Sequence, residues 1–380
     1  MAGNESAPVG RLGPVVLFGS GETAPSGRKV YDQILSGLPQ PPKIALLETP
    51  AGFELNSDRV IGRVADFLEH RLQNYNPQIT IVPARKRGTD FSPDDPDLLA
   101  PLLEADMIFM GPGSPTYAVR QLRGSLAWEY LMARHRLGAA VVLASAAAIA
   151  VSAYALPVYE IYKVGEDLHW KRGLDFFGSF GMPLVFVPHW NNNDGGEELD
   201  TSRCFMGQPR FVELMKMIPP EQTVVGIDEN TALVLDPQAG EARVVGLSGV
   251  TLLHTGHRHV RPGETASLES DDLAEIIERR GGHLHRYADG QRFPLNECCP
   301  LKLPQGEAGV SANVWEKALE TEARTQAGPG IPGEVRSLAE QREAARRERD
   351  WAAADQLRER IAGLGWDVLD TPNGTEFQKR

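Results

Sequence analysis

Gly138-Ala-Ala-Val-Val-Leu-Ala-Ser145-Ala-Ala-Ala148 runs an apolar segment into a single hydroxyl and then into a string of small residues. A short apolar run bounded by Gly138 reads as a buried central strand, and Ala146 to Ala150 as the start of a helix packed close beneath it. A serine between the two sits on a tight strand-to-helix turn. Such a turn lifts Oγ above the sheet, beside backbone N–H groups of the helix start that can stabilise an oxyanion. The same serine also has an ordinary reading as the N-cap of an Ala-rich helix. Ser152, two helical turns on, is a rival hydroxyl whose expected role is a back-bond to a carbonyl.

Upstream of this stretch, strands alternate with helical patterns. Val15 to Phe18 ends in Gly19-Ser20-Gly21-Glu22, Lys43 to Glu48 in a Thr-Pro-Ala-Gly turn, and Asp106 to Met110 in Gly111-Pro-Gly-Ser-Pro115; Ile79 to Val82 is a further strand. Tyr31, Ile34 and Leu38 mark one helix face, and Val60, Val64, Phe67 and Leu68 another, with Ser57 as its N-cap. Leu98 to Leu103 predicts a short helix, and Tyr117 to about Arg134 a longer one. This alternation predicts a three-layer α/β domain with a mostly parallel sheet covered by helices on both faces. Its glycine-rich breaks fall at carboxyl ends of strands, the edge where open α/β sheets bind ligands.

Downstream, 156–183 is poorly periodic, and Leu184 to His189 is a strand ending in a histidine, followed by the polar loop Trp190 to Gly196. Phe211, Leu214 and Met215 belong to a short helix. Val224 to Leu235 reads as a strand pair or bent strand with Asp228 and Glu229 in its middle, where carboxylates need partners. Residues 242–253 read as antiparallel edge strands, 273–280 as a helix and 281–310 as mostly loop. The expected domains are 14–310, a helix and Gly/Pro linker at 311–333, and a charged helical hairpin with a tail at 334–380.

The 380 residues carry a formal charge of −12, which disfavours broad, non-specific DNA binding. No apolar run approaches the length of a membrane span, and the N-terminus lacks the basic-then-apolar pattern of a signal peptide. Three cysteines (Cys204, Cys298 and Cys299) make no disulfide framework, so a reducing, cytoplasmic location is expected. His254, His257, His259, His283 and His285 invite a metal reading. With no i, i+4 helical pair among them, they read as surface histidines, and no metal or cofactor is expected.

A serine nucleophile needs a base, and the base needs an orienting carboxylate. His189 at a strand end and Glu229 in an apolar segment supply both types downstream of Ser145. The ordinary alternatives are a structural histidine and a Glu229 paired with Arg203 or Arg210. Several motifs bear on the choice: Gly19-Ser20-Gly21-Glu22, Gly111-Pro112-Gly113-Ser114, the elbow Leu143-Ala144-Ser145-Ala146-Ala147-Ala148, Val187-Pro188-His189-Trp190, and the block Gly226-Ile-Asp-Glu-Asn-Thr-Ala232. Together, across residues 14–255, they resemble the serine peptidase family of cyanophycinase and the aspartyl dipeptidases, within the class I glutamine amidotransferase-like fold.

The resemblance implies Ser145 as nucleophile, His189 as base and Glu229 as its orienting carboxylate. It implies Gly113 and Ala146 as oxyanion donors and a peptide or isopeptide substrate with no cofactor; Ser114, Asn191, Arg203 and Arg210 are the expected substrate-binding positions. A glutaminase is not expected, because serine stands where amidotransferases place cysteine. Two departures favour the alternative of a catalytically impaired relative that serves as a binding protein. Leu143 and Ala147 replace the elbow glycines, and Ser114-Pro115 replaces an Asn-Gln pair. The expected partners are the substrate and a second copy of the chain in a homodimer, with no membrane partner.

The C-terminal run Arg342-x-x-Ala345-Arg346-x-x-Arg349-Asp350-Trp351-x-x-Ala354-Asp355-x-Leu357-Arg358-x-x-Ile361, followed by Gly365 to Thr375, is similar to the small domain ending bacterial cysteinyl-tRNA synthetases. This resemblance adds tRNA as a partner. The chain lacks the His-Ile-Gly-His and Lys-Met-Ser-Lys-Ser motifs of aminoacylation, so a synthetase is excluded. Arg342, Arg346 and Arg349 share a helix face, and Arg358 joins them from the second helix. Glu343, Glu348, Asp350 and Asp355 oppose them, a balance that favours packing through Trp351, Leu357 and Ile361 over RNA binding.

Overall fold

The computed structural model describes residues 11–255, 273, 275, 277–278, 281–298, 301–304, 307–326, 332–371 and 374–379. His257, His259, Cys299, linker residues 328–331, residues 1–10 and much of the helix expected at 273–280 lie outside the described residues. The chain divides into two compact units, Met1–Glu322 and Ala323–Arg380.

The first unit opens with β1 (Val15–Phe18), α1 (Pro25–Leu35), β2 (Lys43–Leu47), α2 (Ser57–Arg71), β3 (Gln78–Val82), α3 (Ala100–Glu104) and β4 (Met107–Met110). It continues through α4 (Pro115–Leu122), α5 (Leu126–Arg136), β5 (Ala140–Ala144) and α6 (Ala146–Ala150). Then come β6 (Tyr154–Ala155), β7 (Lys171–Arg172), β8 (Leu184–Val187), α7 (Gly207–Met217), β9 (Thr223–Ile227) and β10 (Thr231–Asp236). β11 (Glu241–Gly246), β12 (Gly249–His254), β13 (His283–Ala288), β14 (Arg292–Pro294) and α8 (Ala312–Gln326) complete the list, α8 running just past the unit boundary.

The larger sheet has the order β14-β11-β10-β1-β5-β4-β2-β3. β1 to β5 are parallel, and β10, β11 and β14 extend the sheet antiparallel. Register decides what meets at its edge. Phe18 is level with Ala144 of β5 and with Ala232 of β10, and Met110 is level with Leu143. Residue 19, residue 111 and Ser145 therefore leave the sheet side by side, and residue 230 enters it there.

α1 and α2 cover one face, where Val30, Ile34, Ile61, Val64 and Leu68 pack with Val16, Phe18 and Val142. On the other face Leu17, Met110 and Leu143 share a core with α3, α5 and α8 and with Phe186, Val225, Ile227 and Leu252. Those last four belong to a second sheet, β13-β12-β9-β8, whose far side packs Val185, Val187 and Val224 against Phe211 and Leu214 of α7. Helices, sheet, and a mixed helix–sheet layer make three layers.

Several elements differ from expectation for local reasons. The helix expected over 117–134 is two, because Gly124 has φ +64° and Ser125 caps a new start by accepting from Trp128 N–H. The segment 224–235 is β9 and β10, which belong to different sheets; the carboxylates lie at the crossing, where Asn230 takes a left-handed φ of 54°. β11 and β12 are likewise split between sheets, and β12 is flanked by β13 and β9 and so is not an edge. Strands β13 and β14 occupy part of the stretch expected as loop. Ser57 is the buried first residue of α2, with Asn56 at the N-cap position.

The second unit contains α9 (Gly333–Arg347), α10 (Trp351–Gly363) and a β-hairpin, β15 (Trp366–Thr371) with β16 (Gly374–Lys379), where a tail was expected. Val335, Leu338, Ala339, Ile361, Trp366 and Val368 form its core, with Leu357 packed against it. Trp351 is 59% exposed, contrary to expectation, because it is the first residue of α10, next to the N-cap Asp350. Arg342 is buried at 6% and drops out of the expected surface stripe.

Candidate active site

Ser145 sits between β5 and α6 with φ 51° and ψ −114°, a conformation that costs an L-residue roughly 1–3 kcal/mol. The Leu143 side chain is fully buried in β5 with Leu17 and Met110, so it fills the core and stays out of the turn. Ala147 is equally buried in that core. The elbow thus forms without its glycines.

Ser145 Oγ lies 3.2 Å from His189 Nε2, and His189 Nδ1 lies 3.1 Å from Glu229 Oε1. With Glu229 ionised, Nδ1 donates and Nε2 keeps its lone pair toward the hydroxyl. Asn192 Nδ2 donates to the same Glu229 oxygen at 2.9 Å, and Asn191 Oδ1 accepts from Glu229 N–H at 2.8 Å. The hydrogen bond to His189, seconded by that of Asn192, holds the Glu229 carboxyl below its ordinary range. Glu229 is therefore paired by histidine and asparagine, not by Arg203 or Arg210.

The backbone carries His189 to this point. Its N–H donates to Gly19 O at 3.0 Å, and Trp190 N–H donates to Ile227 O at 3.1 Å, so the loop after β8 is fastened to both sheets. In the block at 226–232 several residues have separate duties. A Cβ on Gly226 would lie 2.3 Å from the Trp190 ring. Asp228, fully buried, is paired with Arg286 and accepts from Ser248 Oγ at 2.6 Å and Gly249 N–H at 3.0 Å. Asn230 N–H donates to Ser20 Oγ at 3.1 Å, and Thr231 Oγ1 accepts from Ser248 N–H at 3.1 Å.

The two expected oxyanion positions, Ala146 and Gly113, follow the neighbouring strands β5 and β4. Ala146 is the first residue of α6, so its N–H has no intrahelical acceptor. Gly113 lies on the loop after β4, the strand beside β5; its φ is +144°, and a Cβ there would lie 2.0 Å from Pro50 O. Ser114 N–H is already committed to Pro50 O at 3.0 Å, while Ser114 Oγ caps α4 by accepting from Tyr117 N–H at 3.2 Å. Glu22 also approaches. Burial pushes its carboxyl up, its own backbone and the charge of His189 offsetting this in part.

Of the remaining expected positions, the Arg203 guanidinium lies 4.2 Å over the Trp190 ring, with Nη1 donating to Trp190 O at 2.9 Å. It braces the loop after His189. Arg210 is exposed on α7. Ser152 Oγ is buried and accepts from Phe186 N–H at 2.8 Å, a packing role. Cys204 is no rival nucleophile, because burial pushes its thiol up to about 12. Asn192 was not singled out in the sequence; its signal is the polar run directly after a strand-ending histidine, three residues on. Among the described residues no group of three His, Cys, Asp or Glu side chains is placed to hold a metal, and no helix is long and apolar enough to cross a membrane.

With a crystal structure of a peptidase from an acI-B1 Actinobacterium, the chain shares 18% identity at a TM-score of 0.55, covering 75% of this chain and 98% of that one. Residues 328–377 match the cysteinyl-tRNA ligase anticodon binding domain. The cysteine–tRNA ligase of Salinibacter ruber is 38% identical over 169 residues, 34% of this chain and 32% of the ligase. That of Methanosarcina mazei is 46% identical over 52 residues, 14% of this chain and 11% of the ligase. The chain thus spans about a third or less of these curated relatives. It combines a mixed α/β domain with the fold of a solved peptidase and a C-terminal segment similar to an anticodon-binding domain.

Proposed function

We propose that the first unit is a serine hydrolase of a peptide or isopeptide bond, working through an acyl-enzyme in the manner of cyanophycinase and the aspartyl dipeptidases. The observation that carries this reading is the hydrogen-bonded series from Ser145 through His189 to Glu229, built on a strained strand–helix elbow. Ser145 Oγ attacks the carbonyl carbon while Nε2 of His189 takes its proton. Glu229 stabilises the imidazolium, and the N–H groups of Gly113 and Ala146 receive the oxyanion. The imidazolium then protonates the leaving amine, and water repeats the sequence to release the acid. Losing one such oxyanion donor lowers the rate on the order of a hundredfold, so the pair sets the ceiling on turnover.

Peptides with an acidic residue before the scissile bond, in α-linked and β-linked forms, test the reaction. Turnover of either form that disappears in Ser145→Ala is expected. A panel untouched by the native chain at high enzyme concentration counts against hydrolysis and favours the binding-protein alternative.

A further inference from the structure

We propose that a cavity along α4 binds a small ligand bearing two or more phosphate groups, with a diphosphate as the minimal occupant. The cavity measures about 470 Å³, within the range of small-molecule sites, and is lined by Arg87, Arg120, Arg123, Lys171, Arg172 and Thr116. Five cations on one concave surface need an explanation in a chain whose formal charge is −12.

Internal pairing does not supply it. Asp94 lies 3.2 Å from Arg87 Nε, and Glu160 lies 3.4 Å from Lys171 Nζ while also accepting from Thr116. Among the described residues no carboxylate forms an ion pair with Arg120, Arg123 or Arg172, although the charge of Asp175 acts on Arg172. Neutral groups hold these three in place. Arg123 Nη2 donates to the carbonyls of Arg172 and Gly173, at 2.6 and 2.8 Å, and Arg87 Nη2 donates to Arg123 O at 2.9 Å. The Arg120 guanidinium lies 5.2 Å over the Tyr117 ring, and that of Arg172 lies 4.6 Å over Tyr154. Stacking fixes each plane and leaves N–H edges to donate.

The frame therefore holds like charges close together and neutralises them only in part, an arrangement that an anion relieves. The guanidiniums of Arg120, Arg123 and Arg172, none of them in an ion pair, come from different positions around the cavity. Tetrahedral phosphate presents three or more oxygens in several directions and meets such a set, whereas the two oxygens of a carboxylate accept within one plane. An open cleft of this volume suits a small molecule better than a nucleic-acid strand, which needs an extended groove. None of Ser145, His189 and Glu229 lines it, so the proposal does not depend on hydrolysis.

Calorimetric titration of the full chain with pyrophosphate at low salt tests the proposal, run beside tri-glutamate and beside the variant Arg120→Gln/Arg172→Gln. Both arginines are exposed, so the variant should keep its melting temperature. The expected result is one pyrophosphate per chain, with affinity falling as salt rises and about tenfold or more weaker in the variant. No binding of pyrophosphate, or equal binding by native chain and variant, overturns the proposal. Binding of tri-glutamate with none of pyrophosphate overturns it in favour of an acidic-peptide site.

Discussion

At Ser145 the backbone is held at φ 51° and ψ −114°, a conformation disfavoured for an L-residue. Ser145→Gly relieves it and should raise stability by about 1 kcal/mol in urea unfolding, while removing any activity that needs the hydroxyl. Unchanged or lower stability would mean the elbow is not strained. Glu229→Gln keeps the shape but loses the charge that orients His189, and should slow turnover on the order of 10³- to 10⁴-fold. The Glu229 carboxyl sits below its ordinary range in the folded chain. Its ionisation therefore adds stability that is full above the unfolded value of about 4 and is lost as pH falls through the folded one. The stability gap between native chain and Glu229→Gln should close under acid; a gap constant with pH would exclude this linkage. Ser145, His189 and Glu229 were legible because each ends or interrupts an apolar run. Asn192, which shares Glu229 Oε1 with the histidine, was not, since an asparagine in a polar loop looks the same with or without a partner.

The crossing between β9 and β10 places the Glu229 carboxylate, and it depends on the neighbouring Asp228, which is fully buried against Arg286. Arg286→Met leaves that carboxylate without its cation and should destabilise the first unit by about 3 kcal/mol, seen as a lower urea midpoint. A change under about 1 kcal/mol would show that Ser248 and the backbone suffice. The five parallel strands were legible because glycine and proline bound each apolar run. The second sheet was not, because a short buried strand carries no mark of the sheet it joins. Only pairing across the chain, such as Ile227 with Val250, separates β9 from β10. The break at Gly124-Ser125 was missed because the apolar spacing of α4 continues into α5 across one turn.

Over the whole chain, 323–380 carries ten Lys and Arg against ten Asp and Glu, so the formal charge of −12 belongs to 1–322. The similarity of 328–377 to an anticodon-binding domain makes RNA the partner to test, with the exposed Trp351 as a stacking surface. With Arg342 buried, Arg346, Arg349 and Arg358 are the remaining members of the expected stripe. Filter binding of the full chain to bulk tRNA should then be weak, falling on the order of tens-fold between about 50 and 200 mM salt. Tight retention that ignores salt would refute that charge argument. Covalent capture decides whether Ser145 is a nucleophile activated by His189. Intact chain is exposed to a fluorophosphonate, digested, and the adduct located by mass spectrometry. One adduct is expected, on Ser145, absent from Ser145→Ala and strongly slowed in His189→Ala. A folded native chain that takes no label at Ser145, or takes it equally fast without the histidine, would contradict it.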